Sequence, residues 1–242
     1  MDYIQIGNNV LENVVQWDKN LTLQLNNVHA PFLDAFMWLS TTTIVWVPFF
    51  LSVFYIIVKN KKRESFLIVM SLVLAIVFSD QIASSFFKPL FERFRPTHDP
   101  SISYLVETVN DYKGGNYGFV SSHAANSFAF AVFTMLLFRS STYSTLVSLW
   151  AIFVSYTRIY LGVHFFLDVF FGAILGGLLG YALYMFYLFL KKKMPQYVYN
   201  RQKKNSKYFI AFPRHDVMSI VFFLFLTFFF IFTASYNFRM VF

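Results

Sequence analysis

Long stretches without a single charge constrain this chain more than any other feature. Residues 35–58, 119–138, 140–157, 169–190 and 217–238 contain no Asp, Glu, Lys or Arg, and 65–87 contains one acid, Asp80. A helix rises 1.5 Å per residue, so about 20 residues cross a hydrocarbon core of roughly 30 Å. The stretches are rich in Phe, Leu, Ile and Val and do not alternate with polar residues, which argues against a β-barrel. Lipid offers no water to open backbone groups, so each stretch is expected to be helical. Only 13% of residues are charged, against about 25% in soluble domains. The expected architecture is an all-α polytopic membrane bundle of about six transmembrane helices.

The basic residues are bunched as well. Lys59, Lys61, Lys62 and Arg63 sit in one loop. Arg139 sits in a short turn. Lys191, Lys192, Lys193, Arg201, Lys203, Lys204, Lys207 and Arg214 lie before the last stretch. If six spans alternate, all of these fall on one side, which the positive-inside rule makes cytoplasmic. The net charge of +8 therefore reads as topology and contact with anionic lipid heads rather than nucleic-acid binding. Segments 1–32, 88–119 and 158–165 then face outward, as expected for an inner membrane with the exterior or periplasm beyond it. Apolar residues Val10, Val14, Trp17, Leu21, Leu25 and Val28 recur at helical spacing, which predicts an amphipathic helix on the outer surface or on the bundle's rim. Gly172, Gly176 and Gly180 recur every fourth residue and predict a close helix–helix approach. The chain has no cysteine, hence no disulfide framework or thiolate chemistry. Residues 1–30 lack the pattern of a signal peptide, so the first span is expected to be retained. The expected organisation is an N-terminal amphipathic segment (1–31), a catalytic membrane bundle (32–190), a basic cytoplasmic linker (191–216) and a last transmembrane helix (217–242).

Charged groups at membrane depth are costly and are usually paired or functional. Three clusters lie at the outward ends of spans. Lys88 and Arg95, seven residues apart and followed by Pro96, are placed by spacing on one helical face. That pair suits an anion or serves as a simple positive helix end. Ser121, Ser122 and His123 open an apolar run, where an N-cap and free N–H groups offer a seat for phosphate. His164 and Asp168 are four apart, after Arg158, and a carboxylate on one imidazole nitrogen leaves the other free as a base or nucleophile. Each cluster alone has a purely structural explanation. Their convergence on one face of the membrane favours a site. Asp80, deeper in its span, is expected to pair with a neighbouring span. Glu92 and Arg93 are expected to face headgroups. His98 and the loop 99–117 are placed as a lid over the site, and His29 and His215 as incidental.

Taken in order, Lys-x6-Arg-Pro, Ser-x-His and Arg-x5-His-x3-Asp resemble the type 2 phosphatidic acid phosphatase (PAP2) superfamily over roughly residues 30–190. The resemblance implies a membrane phosphatase acting on a lipid phosphate or diphosphate without metal or cofactor. It assigns Lys88, Arg95, Ser121, Ser122 and Arg158 to phosphate binding and His164, His123 and Asp168 to catalysis. His164 would attack phosphorus and form a phosphohistidine, Asp168 would orient it, and His123 would protonate the leaving oxygen and then activate water. Two departures stand out. The family's Pro-Ser-Gly-His is here Val120-Ser121-Ser122-His123, which gives Ser121 and its backbone more weight than Ser122, and Thr157 replaces a Ser. The rival functions are a lipid transporter or flippase, a non-catalytic membrane scaffold and a vanadate-dependent oxidase. The charges collect at one surface rather than along a path, which disfavours transport. The expected partners are a phosphorylated lipid substrate and membrane lipids. The short chain places an undecaprenyl diphosphate ahead of lipid A as substrate, with phosphatidic acid as a further possibility.

Overall fold

The computed structural model describes residues 2–193 and 212–238. Arg201, Lys203, Lys204 and Lys207 of the expected basic linker lie outside the described residues. All the regular elements described are helical: α1 (Asp2–Asn26), α2 (Pro31–Thr41), α3 (Val47–Asn60), α4 (Ser65–Gln81), α5 (Ser122–Phe138), α6 (Ser141–Tyr160), α7 (Phe166–Lys192) and α8 (Arg214–Phe238). Among them are four segments long and apolar enough to cross a membrane: Thr43–Asn60, Ser65–Phe91, Phe166–Lys192 and Arg214–Asn237. The uncharged stretch 35–58 is not one continuous helix. It breaks at Thr42, whose backbone is extended, and resumes through a 3-10 turn at Thr43–Trp46.

Local chemistry explains the main boundaries. Pro31 opens α2, where a missing N–H costs nothing. Beyond Gln81, α4 widens into a π turn (Ile82–Phe87) and closes with Lys88–Phe91. Pro89 removes one backbone donor there, and a π turn absorbs such a mismatch. Ser121 caps α5 and Ser140 caps α6, each accepting a backbone N–H three residues on. Between them Arg139 takes a left-handed conformation (φ 51°) that turns the chain back.

α5 and α7 pack most extensively on each other, and α4 lies against both. The contact is close because α7 presents glycine. A Cβ on Gly172 would lie 2.5 Å from Ser121 O and one on Gly180 2.5 Å from Ala129 O, while one on Gly176 would run into Ala125 O. The predicted small-residue seam is thus a backbone-to-backbone contact. α8 closes the other flank against α2 and α3. Phe49, Phe50, Phe130 and Trp150 fill the interior with edge-on and tilted ring contacts. Phe222, Phe225, Phe229 and Phe232 of α8 point outward, a surface suited to hydrocarbon.

α1 buries its polar face. Asp18, Thr22 and Asn26, one per turn, are almost completely buried, whereas Val10, Leu11, Val14 and Trp17 are exposed. The reason lies at the start of α7, whose first N–H groups have no partner within the helix. Leu167 N–H donates to Asp18 Oδ1 (2.9 Å) and Phe166 N–H to Thr22 Oγ1 (3.0 Å). Asn26 Nδ2 donates to the Tyr160 carbonyl (2.8 Å), and the Glu107 N–H donates to Asn26 Oδ1 (2.8 Å). α1 therefore acts as an external cap on the segment that carries His164.

Candidate active site

The bundle has two chemically different ends. At one end Lys61, Arg139 and Lys191 line a shallow cavity, Lys59 pairs with Asp216 (2.7 Å) and Lys191 with Glu64 (2.9 Å). At the other end the three predicted clusters come together.

His164 is almost completely buried in the turn between α6 and α7, two residues before the helix begins. Gly162 makes that turn with φ 69°, and a side chain there would meet Val106 and the Glu107 carbonyl. Asp168 Oδ2 lies 3.5 Å from His164 Nδ1. Arg95 Nη1 lies 3.4 Å from Nε2 and also donates to the Val163 carbonyl (3.1 Å). One imidazole nitrogen thus faces a carboxylate and the other a guanidinium. Burial pushes the His164 pKa well down, and Arg95, Arg158 and Lys88 push it further in the same direction. At neutral pH the ring is uncharged.

Arg95 reaches this place by a route different from the expected one. The helix ends at Glu92, left-handed at φ 44°, and Arg95 sits on extended backbone (φ −71°, ψ 158°). Lys88 and Arg95 do not share a helical face. Arg95 is instead placed by backbone pairing with the returning loop: its N–H donates to Asn116 O (3.0 Å), Gly118 N–H donates to Arg93 O (2.9 Å), and its Nε donates to Tyr117 O (3.2 Å). Gly118 lets the loop pass at this distance. A Cβ there would stand 2.8 Å from Asp168 Oδ2. The loop expected as a lid is tied down over the guanidinium, with Thr97 donating to Lys113 O (2.8 Å) and Lys19 paired with Asp99 (2.8 Å).

Arg158, on the last turn of α6, is buried and donates through Nη1 to Thr41 Oγ1 (2.5 Å), with the Tyr112 ring 5.9 Å away. Its Nε has no partner among the described residues. Lys88 Nζ lies 3.3 Å from Ser84 Oγ and 3.5 Å from Ser122 Oγ. The two serines divide their work. Ser121 is buried, its hydroxyl caps α5, and its N–H donates to the Asp168 carbonyl (2.9 Å). Ser122, the residue at the family's glycine position, turns its hydroxyl towards Lys88. His123 follows in the first turn of α5 and lines a cavity with Ser122. Among the described residues no group of three His, Asp or Glu is placed to hold a metal ion. The positive charge here comes from Lys88, Arg95 and Arg158.

Arg93 is a functional candidate that sequence reasoning missed. It does not face headgroups. Its Nη1 donates to Asp168 Oδ1 (2.8 Å), its Nη2 donates to Asp18 Oδ2 (2.5 Å), and its guanidinium lies 4.2 Å from the centre of the Phe165 ring. Both carboxylates are fully buried. Asp168 spends its second oxygen on the Phe165 N–H (3.0 Å). The pair read as a local His–Asp contact is therefore the end of a longer chain, Asp18–Arg93–Asp168–His164. Only Arg93's place between Lys88 and Arg95 hinted at it.

Comparison with known proteins agrees with this geometry. The profile of the PAP2 superfamily matches residues 68–192, which include all three clusters. The chain is 38% identical to the lipid A 4'-phosphatase of Porphyromonas gingivalis, over 76% of this chain and 78% of that protein. It is 42% identical to the lipid A 4'-phosphatase of Bacteroides thetaiotaomicron, over 72% of this chain and 79% of that protein. The transmembrane PAP2-type phosphatidylglycerolphosphate phosphatase of Bacillus subtilis shares the fold, with a TM-score of 0.54, 20% identity and coverage of 76% of this chain and 88% of that one. The profile match over more than half of the chain and these identities establish one conclusion: the chain belongs to the PAP2 superfamily.

Proposed function

We propose that this membrane lipid phosphatase removes a phosphate from a lipid A-type molecule at the outer face of the inner membrane, through a phosphohistidine. One observation carries the reading. A buried, uncharged imidazole has Arg95 beside one nitrogen and Asp168 beside the other, so the nitrogen left to attack already faces an anion-binding guanidinium. The identities of 38% and 42% to lipid A 4'-phosphatases move lipid A ahead of undecaprenyl diphosphate, reversing the order expected from chain length.

In this mechanism Arg95, Arg158 and Lys88 hold the phosphoryl oxygens and offset the charge that develops on them. His164 Nε2 forms a bond to phosphorus as the bond to the leaving oxygen breaks. Asp168, held by Arg93, stabilises the positive ring that results. His123 gives its proton to the leaving oxygen. It then takes a proton from water, whose oxygen attacks phosphorus and breaks the N–P bond. Phosphate leaves, and both histidines return to their starting states.

The cations gathered at the opposite end of the bundle support the outward placement. α5 and α6 run between the two ends and complete six crossings, and α1 lies on the outer surface with Val10, Leu11, Val14 and Trp17 towards lipid. The chain has no cysteine, so a single cysteine introduced at Lys113 or Lys62 reports its own side through an impermeant thiol reagent. The reading expects labelling from outside at Lys113 only.

The test of chemistry is phosphate release from lipid A by the detergent-purified protein, with radiolabelled phosphate followed on the polypeptide. The wild type should release phosphate with or without EDTA, and His164→Ala should neither release it nor carry label. Full activity in His164→Ala would remove the proposed nucleophile.

A further inference from the structure

A cavity of about 380 Å³ opens beside the catalytic cluster and runs into the bundle between α3, α4, α5 and α6. That is within the range of small-molecule sites. Its lining changes character with depth. Descending α5 from the site, it meets His123, then Asn126, then Phe130, and Phe50 and Trp150 join Phe130 at the inner end. Asp80 enters from α4 at the level of the polar part.

Asp80 is the acid that the sequence placed inside a span and expected to find a partner on a neighbouring one. Its partners are weak. Asn126 Nδ2 stands 3.4 Å from Oδ1 and Gln81 Nε2 3.5 Å from Oδ2, and it forms no ion pair among the described residues. Two further polar atoms of lining residues, Asn126 Oδ1 and Trp150 Nε1, have no hydrogen-bond partner there. Lys88 acts on Asp80 electrostatically but makes no ion-pair contact with it; a carboxylate at membrane depth without a close cation is costly to keep, and it is a hydrogen-bond acceptor only.

In-line phosphoryl transfer puts the leaving oxygen opposite the attacking nitrogen. His123 lines this cavity and His164 does not. If these two take the roles given above, on which this inference rests, the leaving alcohol extends past His123 into the cavity. We propose that the cavity is the leaving-group subsite and that Asp80, steadied by Asn126, accepts hydrogen bonds from hydroxyl or amide N–H groups of the leaving lipid. The aromatic inner end takes the first methylenes of an acyl chain. A polyprenyl chain has no donor for Asp80, so the subsite selects N-acylated or hydroxylated lipid alcohols.

The experiment compares kcat/KM for phosphate release from lipid A and from undecaprenyl diphosphate, using the full chain in detergent. Asp80→Leu should lower the lipid A to undecaprenyl diphosphate ratio by roughly 10- to 100-fold, the worth of a hydrogen bond to a charged group. Asp80→Asn, which keeps an acceptor oxygen but loses the charge, should lower the ratio by less than Asp80→Leu does. Asn126→Leu should lower it in the same direction and serves if Asp80→Leu does not purify as a folded protein. An unchanged ratio in these variants, or equal losses on both lipids, overturns the subsite while leaving the phosphatase reading in place. A wild type that releases phosphate from undecaprenyl diphosphate but not from lipid A overturns both the subsite and the lipid A reading.

Discussion

Arg93→Leu is the most informative single perturbation, because Arg93 touches none of the groups assigned to phosphate and yet joins two buried carboxylates. In the native protein one guanidinium serves Asp18 at 2.5 Å and Asp168 at 2.8 Å, with both acids fully buried. Removing one partner of a buried pair leaves an uncompensated charge, at about 3–5 kcal/mol. For Asp18 the balance is already tight, since burial raises its pKa against the opposing pull of Arg93 and the Leu167 N–H. The first expected result is a lower melting temperature in detergent, at roughly 2–4 °C per kcal/mol for a chain of this size. The second is kinetic. Without Arg93, Asp168 loses the contact that fixes its carboxylate beside His164. Loss of a supporting partner of this kind typically costs about 10- to 100-fold, and it should appear in kcat with KM little changed, because Arg93 does not hold substrate. Arg93→Lys should recover only part of either loss, since one ammonium cannot span both carboxylates as the planar fork does. Asp18→Asn combined with Arg93→Leu should destabilise by less than the sum of the single changes, as it removes one of the stranded charges. A thermal shift assay and phosphate release on the same preparations decide the matter. Arg93→Leu melting within about 2 °C of the wild type, with kcat within about twofold, would refute the Asp18–Arg93–Asp168–His164 chain as a positioning device.

Three further outcomes follow from the same contacts. His164 is held uncharged by burial and by Arg95, Arg158 and Lys88, so the unfolded chain binds a proton there near pH 6.5 that the folded chain refuses. Stability should therefore fall as pH drops below about 6.5, with the slope reduced in His164→Asn. The acid limb of kcat/KM belonging to the nucleophile should also lie below that value. Gly176→Leu should prevent purification of a folded protein or lower its melting temperature sharply, because a Cβ there meets the Ala125 carbonyl, while Gly177→Leu, whose Cβ would have ordinary contact with Val132 at 3.8 Å, should be tolerated. Vanadate, which mimics the phosphoryl transition state, should inhibit strongly, and Arg95→Ala should weaken that inhibition, measured as a rise in the inhibition constant.

Much of this was legible in the linear chain, and the parts that were share a cause. Hydropathy, caps and glycine spacing act within a few residues, so the uncharged stretches, the Ser121 cap and the Gly172–Gly176–Gly180 seam could be read directly. Motif spacing carried Lys88, Arg95, His123, Arg158, His164 and Asp168 to one end of a bundle. What could not be read was which group each charge meets. The contacts of Arg93 with Asp18 and with Asp168 each span 75 residues, and no local pattern encodes a partner at that distance. The same limit hid the inward polar face of α1, because Asp18 and Thr22 find their use only when the open N–H groups of α7 are brought beside them. It also hid the turn of the Ser122 hydroxyl towards Lys88, 34 residues away, which no local pattern encodes. The sequence by itself determined a helical membrane protein with a phosphatase's charged residues at one surface. Only the tertiary structure decided how those charges are paired, because pairing is a property of segments packed together and the cost of burial falls on whichever charge is left without a partner.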